Sequence, residues 1–121
     1  MITIVKKPFE EVLSEVKRSI LDAGFLILHE INTKEILGKH GYHISELRQL
    51  LFFRPEYMNT ILKTDVSCVI KVPLKIVVRQ LENGGVELTY TPASELFESS
   101  PGLKSLANEL DKKIINITMV N

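Results

Sequence analysis

Two histidines and a carboxylate lie close together at His40-Gly-Tyr-His43 and Glu46, three potential ligands for a metal such as zinc or iron. A metal site needs its ligands held on a rigid frame with supporting hydrogen bonds. Gly41 interrupts the segment between the histidines and no second cluster completes a tetrahedron, so exposed loop histidines are the plainer expectation. His29 lies in the apolar run Phe25-Leu-Ile-Leu-His-Glu-Ile31, on the alternation of Phe25 and Ile27. It is expected as a satisfied core or interface histidine, with a buried base as the sharper alternative. Cys68 is the single cysteine, set among Val66, Val69 and Ile70. A nucleophile would need a base and an electropositive setting; apolar neighbours predict a buried, inert thiol.

Lys71, Lys75 and Arg79 recur at every fourth residue and form a basic stripe. Arg48 and Arg54 share a face of the preceding strand with Leu50 and Phe52. Arg48, Lys71, Lys75 and Arg79 are therefore the candidate ligand-binding residues. They suit a sheet platform for an anionic ligand or single-stranded nucleic acid, with aromatics to stack on. The plainer alternative is a solvated face with Arg79 paired to Glu87 across strands. No RNA-binding aromatic signature, Gly-rich phosphate loop, Ser-His-Asp order or pair of catalytic carboxylates accompanies these charges. Gly84-Gly85 reads as a turn.

The stripe belongs to a long β-hairpin, residues 71–91. Val72, Leu74, Ile76 and Val78 point one way and Lys71, Lys75 and Arg79 the other, a period of two. The returning strand sets Val86, Leu88 and Tyr90 against Glu87, Thr89 and Thr91. Facing residues share a sheet face, so register decides the turn. A two-residue Asn83-Gly84 turn would oppose Val78 to Thr89 and Arg79 to Leu88. A three-residue loop, Glu82-Asn83-Gly84, opposes Val78 to Leu88, Ile76 to Tyr90 and Arg79 to Glu87, with Gly84 in the left-handed conformation such a loop needs. The three-residue loop is expected.

The other elements follow from periodicity and caps. A short strand carries Ile2 and Ile4. Pro8 suits the first position of a helix with the stripe Phe9, Val12, Leu13, Val16 and Ile20, closed by Gly24. Phe25–Ile31, apolar on both faces, is expected in mid-sheet under a helix or in a subunit contact. Thr33 caps a short helix over 34–39, stopped by Gly41. Residues 46–53 fit helix or strand by pattern; Phe52-Phe53 before Arg54-Pro55 favours strand. Pro55 opens a helix carrying Tyr57, Met58, Ile61 and Leu62 inward, and Cys68-Val69-Ile70 leads into the hairpin. Pro73 marks an edge or a bulge. After Pro92 comes a short helical turn. A last helix, capped by Ser100 with Pro101 at its first position, buries Leu103, Leu106, Ala107, Leu110, Ile114 and Ile117. The order β-α-β-(α)-β-α-β-β-α predicts an α+β fold, a mostly antiparallel sheet packed by helices on one face.

With 121 residues, one domain spanning 1–121 is expected. Fifteen basic and fifteen acidic residues leave no net charge, which argues against a nucleic-acid binder driven by bulk charge and suits surface burial in an oligomer. One cysteine, no signal-like N-terminus and no long apolar stretch predict a cytoplasmic protein with no disulfide and no membrane span.

The motifs in order are Pro8-Phe9, Gly24-Phe25, Glu30-Ile31, Lys34-Glu35-Ile36-Leu37-Gly38, Pro55, Val72-Pro73, Ile76-Val77-Val78, Gly84-Gly85, Pro92 and Glu95-Leu96. Across nearly the whole chain they resemble the "domain of unknown function 302" family of small bacterial and archaeal proteins. The resemblance implies a fold similar to one half of the TATA-box-binding protein, and a homodimer; a likeness of fold carries no DNA-binding inference. Typical members carry one cysteine before the second-helix proline and one after the hairpin proline. Phe53 and Leu74 stand there in this chain, so no thiol or metal chemistry is carried over. The leading expectation is a non-enzymatic, homodimeric ligand-binding or interaction module without a cofactor. The alternatives are an anion or nucleic-acid binder on the basic hairpin face, and a metal-dependent enzyme around His40, His43 and Glu46.

Overall fold

Pro8 sets the entry angle of the first helix from just outside it. The computed structural model describes residues 1–120, and in it β1 (Ile2–Val5) leads to α1 (Phe9–Asp22), with Pro8 as the capping residue and not the first helical one. Phe9, Val12, Leu13, Val16 and Ile20 form the buried stripe. The helix closes on Gly24, whose φ of 89° lies in the left-handed region. Its N–H donates to the Leu21 carbonyl, and the Phe25 N–H donates to that of Ile20. These two hydrogen bonds satisfy two orphan carbonyls and turn Phe25 into the core.

The elements that follow are β2 (Leu26–Asn32), α2 (Thr33–Lys39), β3 (Leu47–Phe53) and α3 (Pro55–Thr64). A 3-10 helix over Val66–Lys71 comes next, then β4 (Leu74–Gln80), β5 (Val86–Thr89), α4 (Ala93–Leu96), a 3-10 turn over Pro101–Leu103, and α5 (Lys104–Thr118). The five strands form one antiparallel sheet in the order β1-β5-β4-β3-β2. The fold is α+β, as the element order predicts.

One sheet face is the floor of the core. Leu50, Phe52, Ile76, Val78, Val86 and Leu88 point to it and are fully buried, meeting Val12, Val16 and Ile20 of α1 and Leu110 and Ile114 of α5. Truncating any such aliphatic side chain to Ala costs about 2–5 kcal/mol, so this layer carries much of the stability. Phe25 adds an edge-to-face contact with Phe52, centroids 5.2 Å apart.

The hairpin has the expected register. Val78 faces Leu88 and Arg79 faces Glu87. The Leu81 N–H reaches the Gly85 carbonyl at 2.8 Å, which closes a loop of Glu82, Asn83 and Gly84, with Gly84 at φ 86°.

Several expectations are corrected. The strand of the hairpin starts at Leu74: residues 66–71 coil into the 3-10 helix, capped by the Asp65 side chain accepting from the Ser67 N–H, and Lys71 ends that helix instead of opening a strand. The Val72–Pro73 peptide is cis. β2 lies at the sheet edge, not in the middle, and Leu26 and Leu28 are about half exposed. A bulge between Ile27 and His29 shifts its register. The extra residue reverses the alternation, so His29 stands opposite Leu51 on the open face, exposed, and away from the Ile27 side. Asn32, not Thr33, caps α2, its Oδ1 accepting from the Glu35 N–H at 3.1 Å. Leu62 points outward from α3. Ser100 precedes a 3-10 turn and makes no side-chain cap.

Candidate functional site

The second face of the sheet has no buried cover. One row of facing residues crosses all five strands: Ile2, Thr89, Val77, Gln49 and Ile31. The next holds Ile4, Glu87, Arg79 and Leu47, and a third Lys75, Leu51 and His29. Every one of these side chains is half-buried or exposed. Period-2 alternation in β4 and β5 dictates this: a strand that gives Ile76, Val78 and Leu88 to the core must give Lys75, Val77, Arg79 and Glu87 to the other side.

The candidate basic residues divide. Arg79 pairs with Glu87 as expected, with Nε and Nη2 donating to Oε1 at 3.2 and 3.1 Å. The Thr89 hydroxyl donates to the same oxygen at 3.3 Å. Arg48 is corrected: it faces Val78 on the helix side, opposite to Lys75 and Arg79, and its side chain is only 13% exposed. Its guanidinium lies over the Phe9 ring, 5.6 Å from the centroid. Glu30 and Glu46 approach it at 3.9 and 3.8 Å, and its Nη1 has no hydrogen-bond partner. The face Arg48 shares with Leu50 and Phe52 is therefore the core face. Arg54 caps α3 and donates from Nε to Glu56 at 2.6 Å.

Lys71 and Lys75 meet at a recess of about 300 Å³ at the end of β4 and β5. Pro73, Val77, Thr91 and Leu96 complete its walls, together with the edge of Tyr90, whose phenol burial pushes above its usual range. Thr91 and Leu96 were not legible as site residues, because they follow the hairpin and carry no charge. Their nearness to Pro92, where the chain turns back, was the available signal.

The proposed metal ligands do not assemble. His40 and His43 are exposed, on either side of Gly41 where α2 ends, and Glu46 reaches toward Arg48. Among the described residues no three His, Cys, Asp or Glu side chains come together in a metal-holding group. Cys68 is buried, with its Sγ donating to Asp65 Oδ2 at 3.6 Å. The Ser67 hydroxyl, at 2.5 Å, holds the Asp65 carboxyl below the usual range, with Ser100 assisting. Phe53 and Leu74, where typical members of the resembling family carry cysteines, are both buried in the core.

A second recess, about 150 Å³, opens beside the edge strand between Leu26, Leu28, Phe53, Pro55 and Met58, with Arg54 at its rim. Next to it Tyr57 packs under Arg54, 4.9 Å from ring centroid to guanidinium. Burial, with a hydrogen bond to Glu109, pushes its phenol up to about 12. Among the described residues no helix is long and apolar enough to cross a membrane.

Comparison with known proteins agrees with this architecture. No curated protein matches the chain. A crystal structure of an uncharacterized conserved DUF302 protein from Bacillus stearothermophilus is similar, with a TM-score of 0.87 and 22% sequence identity, covering 97% of this chain and 93% of that one. At that identity the likeness is one of fold. The family described as "Domain of unknown function DUF302" matches residues 1–119, and the chain belongs to it.

Proposed function

We propose that this domain is a non-enzymatic interaction and ligand-binding module that pairs with a second copy of itself through the open sheet face. The observation that carries this reading is a five-stranded sheet with helices packed on one face and Ile2, Ile4, Ile31, Leu47, Leu51 and Val77 left partly or largely exposed on the other. Strands about 4.8 Å apart, with roughly six residues each at about 3.4 Å, give a flat footprint of roughly 450 Å². That is more than half of the about 800 Å² per partner in a standard interface, before corrugation and rim are counted. A two-fold contact requires a self-complementary surface, and this face carries both signs in Lys75, Arg79 and Glu87. Zero formal net charge adds no long-range repulsion between copies.

Sedimentation velocity across micromolar concentrations tests the pairing. The wild type is expected to sediment as a dimer, and Ile4→Lys and Leu51→Lys as folded monomers. A wild type that remains monomeric at 100 micromolar, or variants that stay dimeric, would refute it.

A nucleic-acid platform receives less support. Arg48 faces the core side and Arg79 is held by Glu87, which leaves Lys71 and Lys75 as the basic groups of that region. Two cations suit a small anion better than a polyanion, whose binding draws on many phosphate contacts.

A further inference from the structure

We propose that the recess between Lys71 and Lys75 binds a small dianion with a compact apolar body, of the phosphomonoester class. This rests on the ligand-binding half of the reading above; Lys75 and Val77 also belong to the face proposed to pair, so binding is tested in a monomeric variant as well.

Charge carries the argument. Among the described residues neither ammonium has a carboxylate within ion-pair distance. The other lysine-bearing recesses differ. Beside the hairpin loop, Lys6 and Lys7 line a hollow, but Lys7 is already held by Glu15 at 3.1 Å and lies near Glu11. Lys113 shares its hollow with Asp22, and Lys104 shares its own with Glu98. Of these recesses, among the described residues, the one at Lys71 and Lys75 has two uncompensated cations facing one space, and two positive charges match a ligand of about −1.5 to −2.

The remaining walls define the rest of the ligand. Thr91 offers a hydroxyl donor, whereas Thr89 already donates to Glu87 and can only accept. No free guanidinium fork is present, since Arg79 is engaged, and point-like ammonium donors suit phosphate without demanding planar bidentate geometry. Pro73, Val77 and Leu96 supply apolar wall, which is wasted on bare phosphate. A volume of about 300 Å³ is at the lower end for ligand pockets, so the apolar body is no larger than a single ring or a short branched chain.

Phenyl phosphate, benzoate and inorganic phosphate separate the contributions, titrated into amide-labelled protein by NMR. Phenyl phosphate is expected to bind at least tenfold more tightly than either of the others. Its shifts should centre on Lys71, Lys75, Val77, Thr91 and Leu96. Lys71→Met and Lys75→Met should each weaken it about tenfold, equal to 1.4 kcal/mol. Affinity should also fall as pH drops through about 6, where the phosphate gains its second proton. Equal binding of benzoate would overturn the dianion, equal binding of inorganic phosphate would overturn the apolar body, and unchanged affinity in both lysine variants would overturn the site. The site lies within one chain and Ile4, on the edge strand β1, is not part of its lining, so monomeric Ile4→Lys should retain phenyl phosphate affinity. A wild type that stays monomeric yet binds phenyl phosphate would refute the pairing alone; a dimeric wild type that does not bind it would refute this proposal alone.

Discussion

Replacing Arg48 by Met should leave stability within about 1 kcal/mol of wild type, although Arg48, with its side chain 13% exposed, is the least exposed of the ion-paired cations among the described residues. The structure supplies both sides of the balance. Against the arginine stands Nη1, buried and without a partner; a buried unsatisfied donor costs about 1–3 kcal/mol. In its favour, the guanidinium over Phe9 at 5.6 Å contributes about 0.5–2 kcal/mol. The contacts to Glu30 and Glu46, at 3.9 and 3.8 Å, exceed hydrogen-bond length and contribute about 0–1 kcal/mol each. Methionine keeps the apolar stem along Val78 and Phe9, and Glu30 keeps its 2.7 Å contact with Lys17. The terms nearly cancel. Urea unfolding monitored by circular dichroism measures the difference, and the midpoint of thermal unfolding should move by no more than about 4 °C. A well-bonded buried ion pair broken by removal of one partner costs about 3–5 kcal/mol. A loss above 2 kcal/mol in Arg48→Met would therefore falsify this accounting and make Arg48 a structural keystone.

Tyr57, with its phenol pushed up to about 12, should make stability fall in alkali. The raised value means the fold favours the neutral phenol. That contribution is complete below pH 10, where the unfolded chain is also protonated, and is lost between 10 and about 12 as the unfolded phenol ionises first. Two pKa units correspond to about 2.7 kcal/mol at most. Tyr57→Phe should lose less stability than wild type over that range, and parallel pH profiles would contradict the assignment. The glycines give an opposed pair. Gly38 lies within α2 with open space where a Cβ would stand, so Gly38→Ala should stabilise by about 0.5–1 kcal/mol. Gly84 also has space but sits at φ 86°, so Gly84→Ala should destabilise by about 1–2 kcal/mol through backbone strain alone. Shifts of the same sign in chemical denaturation would refute that reasoning.

Local rules made much of this fold legible. The stripe Phe9–Ile20, the close at Gly24, the helix after Pro55 and the pairing of Arg79 with Glu87 all follow from side-chain period and turn chemistry. These features depend on neighbours a few residues apart or on one register choice that hydrophobic matching settles. The motif resemblance to the family followed from the same short segments.

The tertiary structure decided what periodicity cannot carry. An apolar run such as Phe25–Ile31 looks the same at an edge as in mid-sheet; strand order alone put it at the edge. A bulge is one residue's departure from pairing, invisible in the run itself, and it alone moved His29 to the open face. Arg48 alternates with Leu50 and Phe52, so its face was readable, but which face holds the basic stripe depends on how β3 pairs with β4. The candidate ligand site is the clearest case. The amino-acid sequence by itself determined a hairpin with Lys75 and Arg79 on the polar side, but it put Lys71 in the same strand, where the structure has a 3-10 helix. The joint use of Lys71 and Lys75 with Thr91 and Leu96 required that helix, ending at Lys71, and the return of the chain at Pro92. Contacts between such separated segments are set by packing of the whole core, and no local pattern encodes them.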